Sequence, residues 1–346
     1  MIYKGQYYKR ICYVATIYSL FLYLCRYSLV EIKDTLFIFS YGIPKNIAER
    51  MDNCIFLDEK GTNNAFVDFC VRNRCIQWLI VMWYWYVKIP KFDGNEELFA
   101  QDHLFLSGFV CSRPYTLLED GVGFIHNNVL NGNIDKCKRI RELHSYPLRK
   151  KLYGPASMHC LGDNPHCNKL LLTKKDDISV HIKEKPQEII DIKKYWREAT
   201  PEKQKYILNL YNLHKEDIET ISSKPIIFFT QPLYMDGLPT KEQITLTKKI
   251  LAKYNHDDVI IKTHPRDKIN YRNIFPDILV FDKTIPSQLF DTVGLRFRKA
   301  VTIFSTAVCS FDYDTEIDWY GTEISENLLR IHGHIQPPEG VKLCSL

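Results

Sequence analysis

Four short stretches of this chain carry residues whose types and order suit chemistry on a phosphate-bearing ligand. The first is YTLLEDGVGFI, residues 115–125, where Glu119 and Asp120 close an apolar run and Gly121 and Gly123 follow. Vicinal carboxylates repel, so one of them can hold its proton near neutral pH and act as a base. Glycine beside them lets a ligand approach the backbone, although a polar turn after a strand accounts for the same residues. The second is DDVIIKTHPRDKIN, residues 257–270. There Pro265 restricts His264 to an extended conformation, and Lys262 and Arg266 supply a positive field suited to phosphate. A protonated imidazole at that point can donate to a leaving phosphate oxygen; a lone histidine at a strand end also serves purely structural ends. The third, IFSTAV (303–308), puts Ser305 and Thr306 where a strand passes into a helix. Hydroxyls with free helix amides make an anion site that needs no metal, or an ordinary cap. The fourth, FFTQPLYMDG (228–237), ends a strand at Gln231 and carries Asp236 on the loop beyond, where turn chemistry also explains Asp-Gly.

All four are ends of apolar runs, and the runs alternate with helical patterns. The uncharged stretch ICYVATIYSLFLYLC (11–25) is too short to span a membrane comfortably, and no small-residue cleavage site follows it. It reads as a strand over residues 10–15 that turns at Ala15-Thr16 into a helix reaching about Arg26. DTLFIFSY and CIFLDE are predicted strands flanking a helix in PKNIAERMD, and DHLFLSGF and PYTLLEDG continue the sheet. Residues 126–190, polar and broken by Pro and Gly, give no clear pattern. Thr200 caps a helix opened by Pro201, with Tyr206, Ile207, Leu210 and Tyr211 as its stripe. The rhythm then restarts with IIFFTQP, and Thr240 and Gln243 have capping-box spacing ahead of a stripe of Ile244, Thr247, Leu251 and Tyr254. DVIIKTHP, DILVFD and AVTIFSTAV are three more strands. This pattern predicts two α/β domains with parallel sheets, residues 1–215 and 216–346.

At 346 residues, each domain can bury its own core. With 45% hydrophobic and 25% charged residues, the chain is neither disordered nor fibrous. A net charge of +5 without a Lys/Arg block does not require nucleic acid; an anionic ligand or a weak pull toward an anionic membrane suffices. Eleven cysteines without framework spacing read as reduced thiols of a cytoplasmic protein. Two metal patterns compete poorly: Asp312-Tyr313-Asp314 is frequent by chance, and the spacing of His159, Cys160, His166 and Cys167 does not suit zinc.

In this order, EDG, KTHPRD and FSTA resemble the bacterial sialyltransferase motifs, closest in wording to glycosyltransferase family 52, the lipooligosaccharide and capsule sialyltransferases. FFTQPL and IPSQLF (285–290) add to the likeness. The resemblance implies a GT-B architecture, two Rossmann-like domains facing an interdomain cleft, the first on the acceptor side and the second holding the nucleotide sugar. It implies an inverting transfer of sialic acid from CMP-sialic acid to a terminal galactoside of a surface glycan. His264 would donate to the CMP phosphate with Pro265 fixing it, and Ser305 and Thr306 would bind the same phosphate. Gly121, Gln231, Lys262 and Arg266 complete the implied nucleotide-sugar set. Asp120 or Glu119 would be the base, ahead of Asp236. No metal or other cofactor is expected. The implied partners are a nucleotide sugar and a glycan, with peripheral association at the inner membrane and a homodimer left open. The alternatives are another nucleotide sugar on the same fold, and a non-catalytic protein held to a membrane by residues 11–25 and the apolar-aromatic segment from Ala65 to Tyr86.

Overall fold

A computed structural model describes residues 1–57, 69, 76–104, 106–121, 134–135, 137–153, 161–174, 182–311 and 313–346. The chain forms two compact units, Met1–Leu210 and Tyr211–Leu346. In the first, a small antiparallel hairpin, β1 (Ile2–Tyr3) and β2 (Gln6–Tyr7), precedes a sheet of seven parallel strands. These are β3 (Arg10–Val14), β4 (Thr35–Phe39), β5 (Cys54–Phe56), β6 (Glu97–Ala100), β7 (Tyr115–Leu118), β8 (Cys167–Leu172) and β9 (Gln187–Ile189). Their spatial order is β5-β4-β3-β6-β7-β8-β9. The chain winds outward from β3 and then returns to its other side for β6, so the topological switch point lies between β3 and β6.

The uncharged run of residues 11–25 is the strand and helix expected of it. Thr16 caps the helix Ile17–Arg26, its hydroxyl accepting from the Ser19 amide at 3.2 Å. The helix lies on one sheet face, with the Tyr23 ring 5.4 Å from Phe37 and 5.1 Å from Phe99. A core of Ile11, Tyr13, Leu36, Ile38, Leu98 and Leu117 covers the other. Burial on both faces explains why β4 is apolar from Leu36 to Phe39, since neither set of alternating side chains meets water. Leu20, Phe21, Leu22, Tyr23 and Leu24 have no solvent exposure, so this run is part of the core of the first unit; much of the aromatic segment 65–86 that the membrane reading also used lies outside the described residues. Among the described residues no helix is long and apolar enough to cross a membrane.

One predicted strand is misplaced. The described residues 102–104 and 106–107 of DHLFLSGF are turns that lead into the helical turn Gly108–Cys111, and the strand beside β3 is ELFA, just upstream. The cause is local: the buried Asp102 carboxylate accepts from the Tyr115 hydroxyl at 2.7 Å and the Leu161 and Gly162 amides at 2.5 and 2.8 Å. The Ser107 hydroxyl donates to the Asp102 carbonyl at 2.8 Å. Side-chain bonds of this kind take the backbone out of the ladder. The unpatterned stretch 126–190 supplies β8 and β9 and the helix Tyr146–Tyr153.

The second unit is a five-stranded parallel sheet of β10 (Ile226–Phe229), β11 (Val259–Lys262), β12 (Leu279–Phe281), β13 (Lys299–Thr302) and β14 (Glu316–Trp319). Its order is β12-β11-β10-β13-β14, with the switch point between β10 and β13. The helix Thr240–Leu251 does not form the expected capping box. Pro239 holds the cap position, and the Gln243 amide instead donates to the Gln231 carbonyl at 2.7 Å and accepts from the Tyr234 amide at 3.1 Å. Its buried side is consequently Leu246, Thr247, Ile250 and Leu251, partly offset from the expected stripe. After β13 the chain enters a short 3-10 turn, Thr306–Ser310, rather than an α-helix.

Candidate active site

In doubly wound sheets, ligands bind beyond the carboxyl ends of the strands beside the switch point. The sequence-predicted residues lie at or just past carboxyl ends of strands, in two groups, one per unit: after β7, the neighbour of β6, and after β10, β11 and β13.

In the first unit Glu119 and Asp120 follow β7 and behave differently. Glu119 is fully buried. The Thr173 amide and hydroxyl both donate to its carboxylate, and Thr173 in turn shares a 3.1 Å hydrogen bond with the Tyr18 hydroxyl. Burial pushes the Glu119 pKa up to about 7 even though these donors favour the charged form. The elevated carboxyl expected here is thus present, but its cause is desolvation rather than repulsion by its neighbour. Asp120 is partly exposed, with Oδ1 receiving the Gln101 amide and Oδ2 lying 3.1 Å from His103 Nε2. Gln101 also binds backbone: its side-chain carbonyl accepts from the Ala15 amide at 2.6 Å, which ties the end of β6 to the end of β3 across the switch point. Gly121 turns the chain away at φ +116, and a side chain there would meet nothing within 4 Å.

The second unit has the same device. Gln231, after β10, accepts from the Phe304 amide at 2.9 Å, joining the ends of β10 and β13 across that sheet's switch point. His264 follows β11, next to β10. Its amide donates to Thr230 Oγ1 at 3.0 Å, and Thr230 passes the chain on to the Asp267 carboxylate at 2.9 Å. Tyr271 and the Ile269 amide also donate to Asp267, at 3.0 and 3.1 Å. Beyond the proline, the Arg266 amide donates to His264 Nδ1 at 3.1 Å. That bond fixes the neutral tautomer with the proton on Nε2. Burial, with Arg266 and Lys262 nearby, lowers the His264 pKa to about 4. The imidazole therefore offers a neutral N–H, where the sequence had suggested an imidazolium.

Two other sequence-predicted residues sit differently from expectation. Lys262 is turned inward: its ammonium donates to the Thr263 carbonyl at 2.6 Å, and burial lowers its pKa to about 7. The cation exposed at this strand end is Arg266. Asp236 ends a 3-10 turn closed by the left-handed Gly237, with His332 Nε2 3.9 Å away. Ser305 caps the turn after β13, accepting from the Ala307 amide at 3.3 Å, and Thr306 is exposed beside it. Pro265 is likewise exposed. No cluster of metal-ligating side chains occurs among the described residues, of which Asp312, His159 and Cys160 are not members. Tyr313 accepts from the Phe297 amide at 2.8 Å.

Gln101, His103, Thr173, Thr230 and Asp267 escaped the sequence reading. The first two follow an apolar run in AQDH and would have been found had the strand been placed over ELFA.

A model of glycosyltransferase family 52 matches residues 45–328. A Haemophilus influenzae protein described as uncharacterized is 33% identical over 241 residues, 69% of this chain and 72% of its own length. Among solved structures, the α/β-galactoside α-2,3-sialyltransferase of the luminous marine bacterium Photobacterium phosphoreum superimposes with a TM-score of 0.57 at 11% identity, covering 98% of each chain. The GT-B domain of a Photobacterium damselae sialyltransferase does so with a TM-score of 0.53 at 13% identity, covering 91% of this chain and 92% of that one. At such identities the likeness establishes the fold, which is GT-B.

Proposed function

Because this chain belongs to glycosyltransferase family 52, we propose that it moves sialic acid from CMP-sialic acid to a terminal galactoside of a bacterial surface glycan, with inversion and without a metal. The observation that carries this reading is the mounting of His264. Its Nδ1 is occupied by the Arg266 amide 3.1 Å away, so Nε2 is left as an N–H donor at the end of β11, the strand next to β10. Departure of CMP places growing negative charge on a phosphate oxygen, and a preorganised donor aimed at that oxygen stabilises the transition state more than the ground state. Arg266, Ser305 and Thr306, near the ends of β11 and β13, supply further donors for the same phosphate. On the acceptor side the proton leaves toward the acidic turn. Asp120 is favoured there over Asp236, because it is held by two side chains whereas Asp236 is half exposed with one distant neighbour.

The test is CMP release from CMP-sialic acid with a panel of terminal galactosides, run with and without a chelator. Release that requires the galactoside and ignores the chelator supports the reading. Absence of release with every galactoside at saturating donor discards the donor assignment, and thermal stabilisation by UDP or GDP in place of CMP would point to another nucleotide sugar.

A further inference from the structure

We infer that Tyr234 is a positioning residue for the leaving-group side of the reaction: its hydroxyl clamps the loop after β11 so that the Arg266 amide stays on His264 Nδ1. The inference rests on the reading of this chain as a sialyltransferase and names a group on which the geometry of its phosphate donor depends.

Tyr234 stands in the 3-10 turn Leu233–Asp236 after β10, and its own mounting is rigid. Leu233 and Leu238, which flank it, are packed in the core of the second unit. Its amide donates to Gln243 Oε1 at 3.1 Å, and the buried Gln243 donates to the Gln231 carbonyl at 2.7 Å. From that base the ring reaches the neighbouring loop. The Tyr234 hydroxyl donates to the Arg266 carbonyl at 2.9 Å and accepts from the Lys268 amide at 2.9 Å. A phenol has one proton to give, and here it goes to main chain, so Tyr234 acts on the loop rather than on a ligand.

The loop from His264 to Asp267 is a surface turn, closed by the Asp267 amide donating to the His264 carbonyl at 2.9 Å. Pro265 holds its second position, where the ring fixes φ. Proline thus sets the entry to the turn, and the Tyr234 hydroxyl sets the exit by holding the Arg266 carbonyl. Between these two restraints lies the Arg266 amide, 3.1 Å from His264 Nδ1. Without that bond neither the orientation of the imidazole nor the position of its proton is fixed, and Nε2–H is no longer a permanent donor. Pro265, Arg266 and Lys268 are exposed, and water can satisfy the groups that Tyr234 binds, so the clamp adds little to stability. What it adds is a fixed direction, which a preorganised site requires of the groups behind it. The far side of His264 is supported from the same base. The Tyr271 hydroxyl accepts from Gln243 at 3.2 Å and donates to Asp267, which also receives Thr230, the acceptor of the His264 amide. Gln243 therefore carries both supports of the imidazole.

Tyr234→Phe keeps the ring and removes only the hydroxyl. It is expected to fold, to keep the thermal shift that CMP induces, and to change KM for CMP-sialic acid little. Its kcat should fall about 10-fold, a fraction of the roughly 100-fold expected for loss of one preorganised donor. The effect should vanish when the donor is absent: a double variant, Tyr234→Phe with His264→Ala, is expected to turn over no slower than His264→Ala alone. A merely structural role would not produce that coupling. Histidine-selective 15N NMR gives a second readout that needs no turnover, with His264 assigned by its absence from the spectrum of His264→Ala. The wild type is expected to show one tautomer with the proton on Nε2, and Tyr234→Phe averaged signals with part of the proton on Nδ1. Losses that add in the double variant, or a single unchanged tautomer in Tyr234→Phe, would overturn the inference. A wild-type chain that releases no CMP with any galactoside removes the sialyltransferase reading instead, and the NMR comparison then still decides whether Tyr234 holds the imidazole.

Discussion

At the scale of single residues, His264 sets the electrostatic character of the donor half of the reaction. Its identity and the rigid proline after it were legible in the sequence, because the KTHPRD string is contiguous. Its charge state was not. That state depends on burial and on the Arg266 amide, which folds back onto Nδ1 only in three dimensions. Since the imidazole protonates only below about pH 4 in the free protein, kcat/KM should show no limb from this residue between pH 5 and 8. His264→Ala should lower kcat about 100-fold, the usual loss for one preorganised donor. His264→Asn, which keeps a neutral N–H, should recover part of that loss without introducing a new pH limb. A limb near pH 6.5 that vanishes in His264→Ala would mean that the donor works as an imidazolium.

At the scale of elements, each sheet places its polar residues with a glutamine that bridges the switch point, Gln101 in the first unit and Gln231 in the second. The strands themselves were readable from apolar runs, and the helix Ile17–Arg26 from the length of its uncharged run; its Thr16 cap is seen only in the structure. The strand β6 was misplaced because Asp102 and Ser107 bond to backbone amides and carbonyls that periodicity does not reveal. The same displacement hid His103. Strands β8 and β9 were missed because their runs are short and lie among polar residues whose partners are far away in the chain. Two glycines at strand ends separate steric from conformational demands. A side chain at Gly42 would lie 2.1 Å from the Ala15 carbonyl oxygen at the end of β3, whereas at Gly121 the space is open and only φ +116 resists. Gly42→Ala should thus lower the unfolding free energy by more than about 2 kcal/mol, since backbone must move. Gly121→Ala should cost about 1 kcal/mol. Urea unfolding of both variants measures the difference, and equal losses would contradict this assignment of causes.

For the molecule as a whole, the buried groups beside the two strand-end clusters give folding stability a specific dependence on pH. Glu119 ionises near pH 4.5 when unfolded and near 7 when folded, so between those values the native chain holds the extra proton. Its contribution is fully present below pH 4.5 and is lost as pH rises through about 7, roughly 3 kcal/mol in all. His264 acts in the opposite sense: its folded value of about 4 lies below the unfolded 6.5, so its contribution is present above pH 6.5 and is lost as pH falls through about 4. Across pH 4.5 to 6.5 the two slopes oppose each other, and the wild-type chain should change little on their account. Glu119→Gln removes one slope and keeps an amide able to pair with Thr173. Its stability should rise with pH over that window, and the advantage of the wild type over the variant should shrink steadily from pH 4.5 to 7. Urea unfolding of the two proteins at half-unit intervals measures that advantage directly. A constant difference across the window would mean that Glu119 is ionised in the folded chain, and that its burial does not hold the proton there.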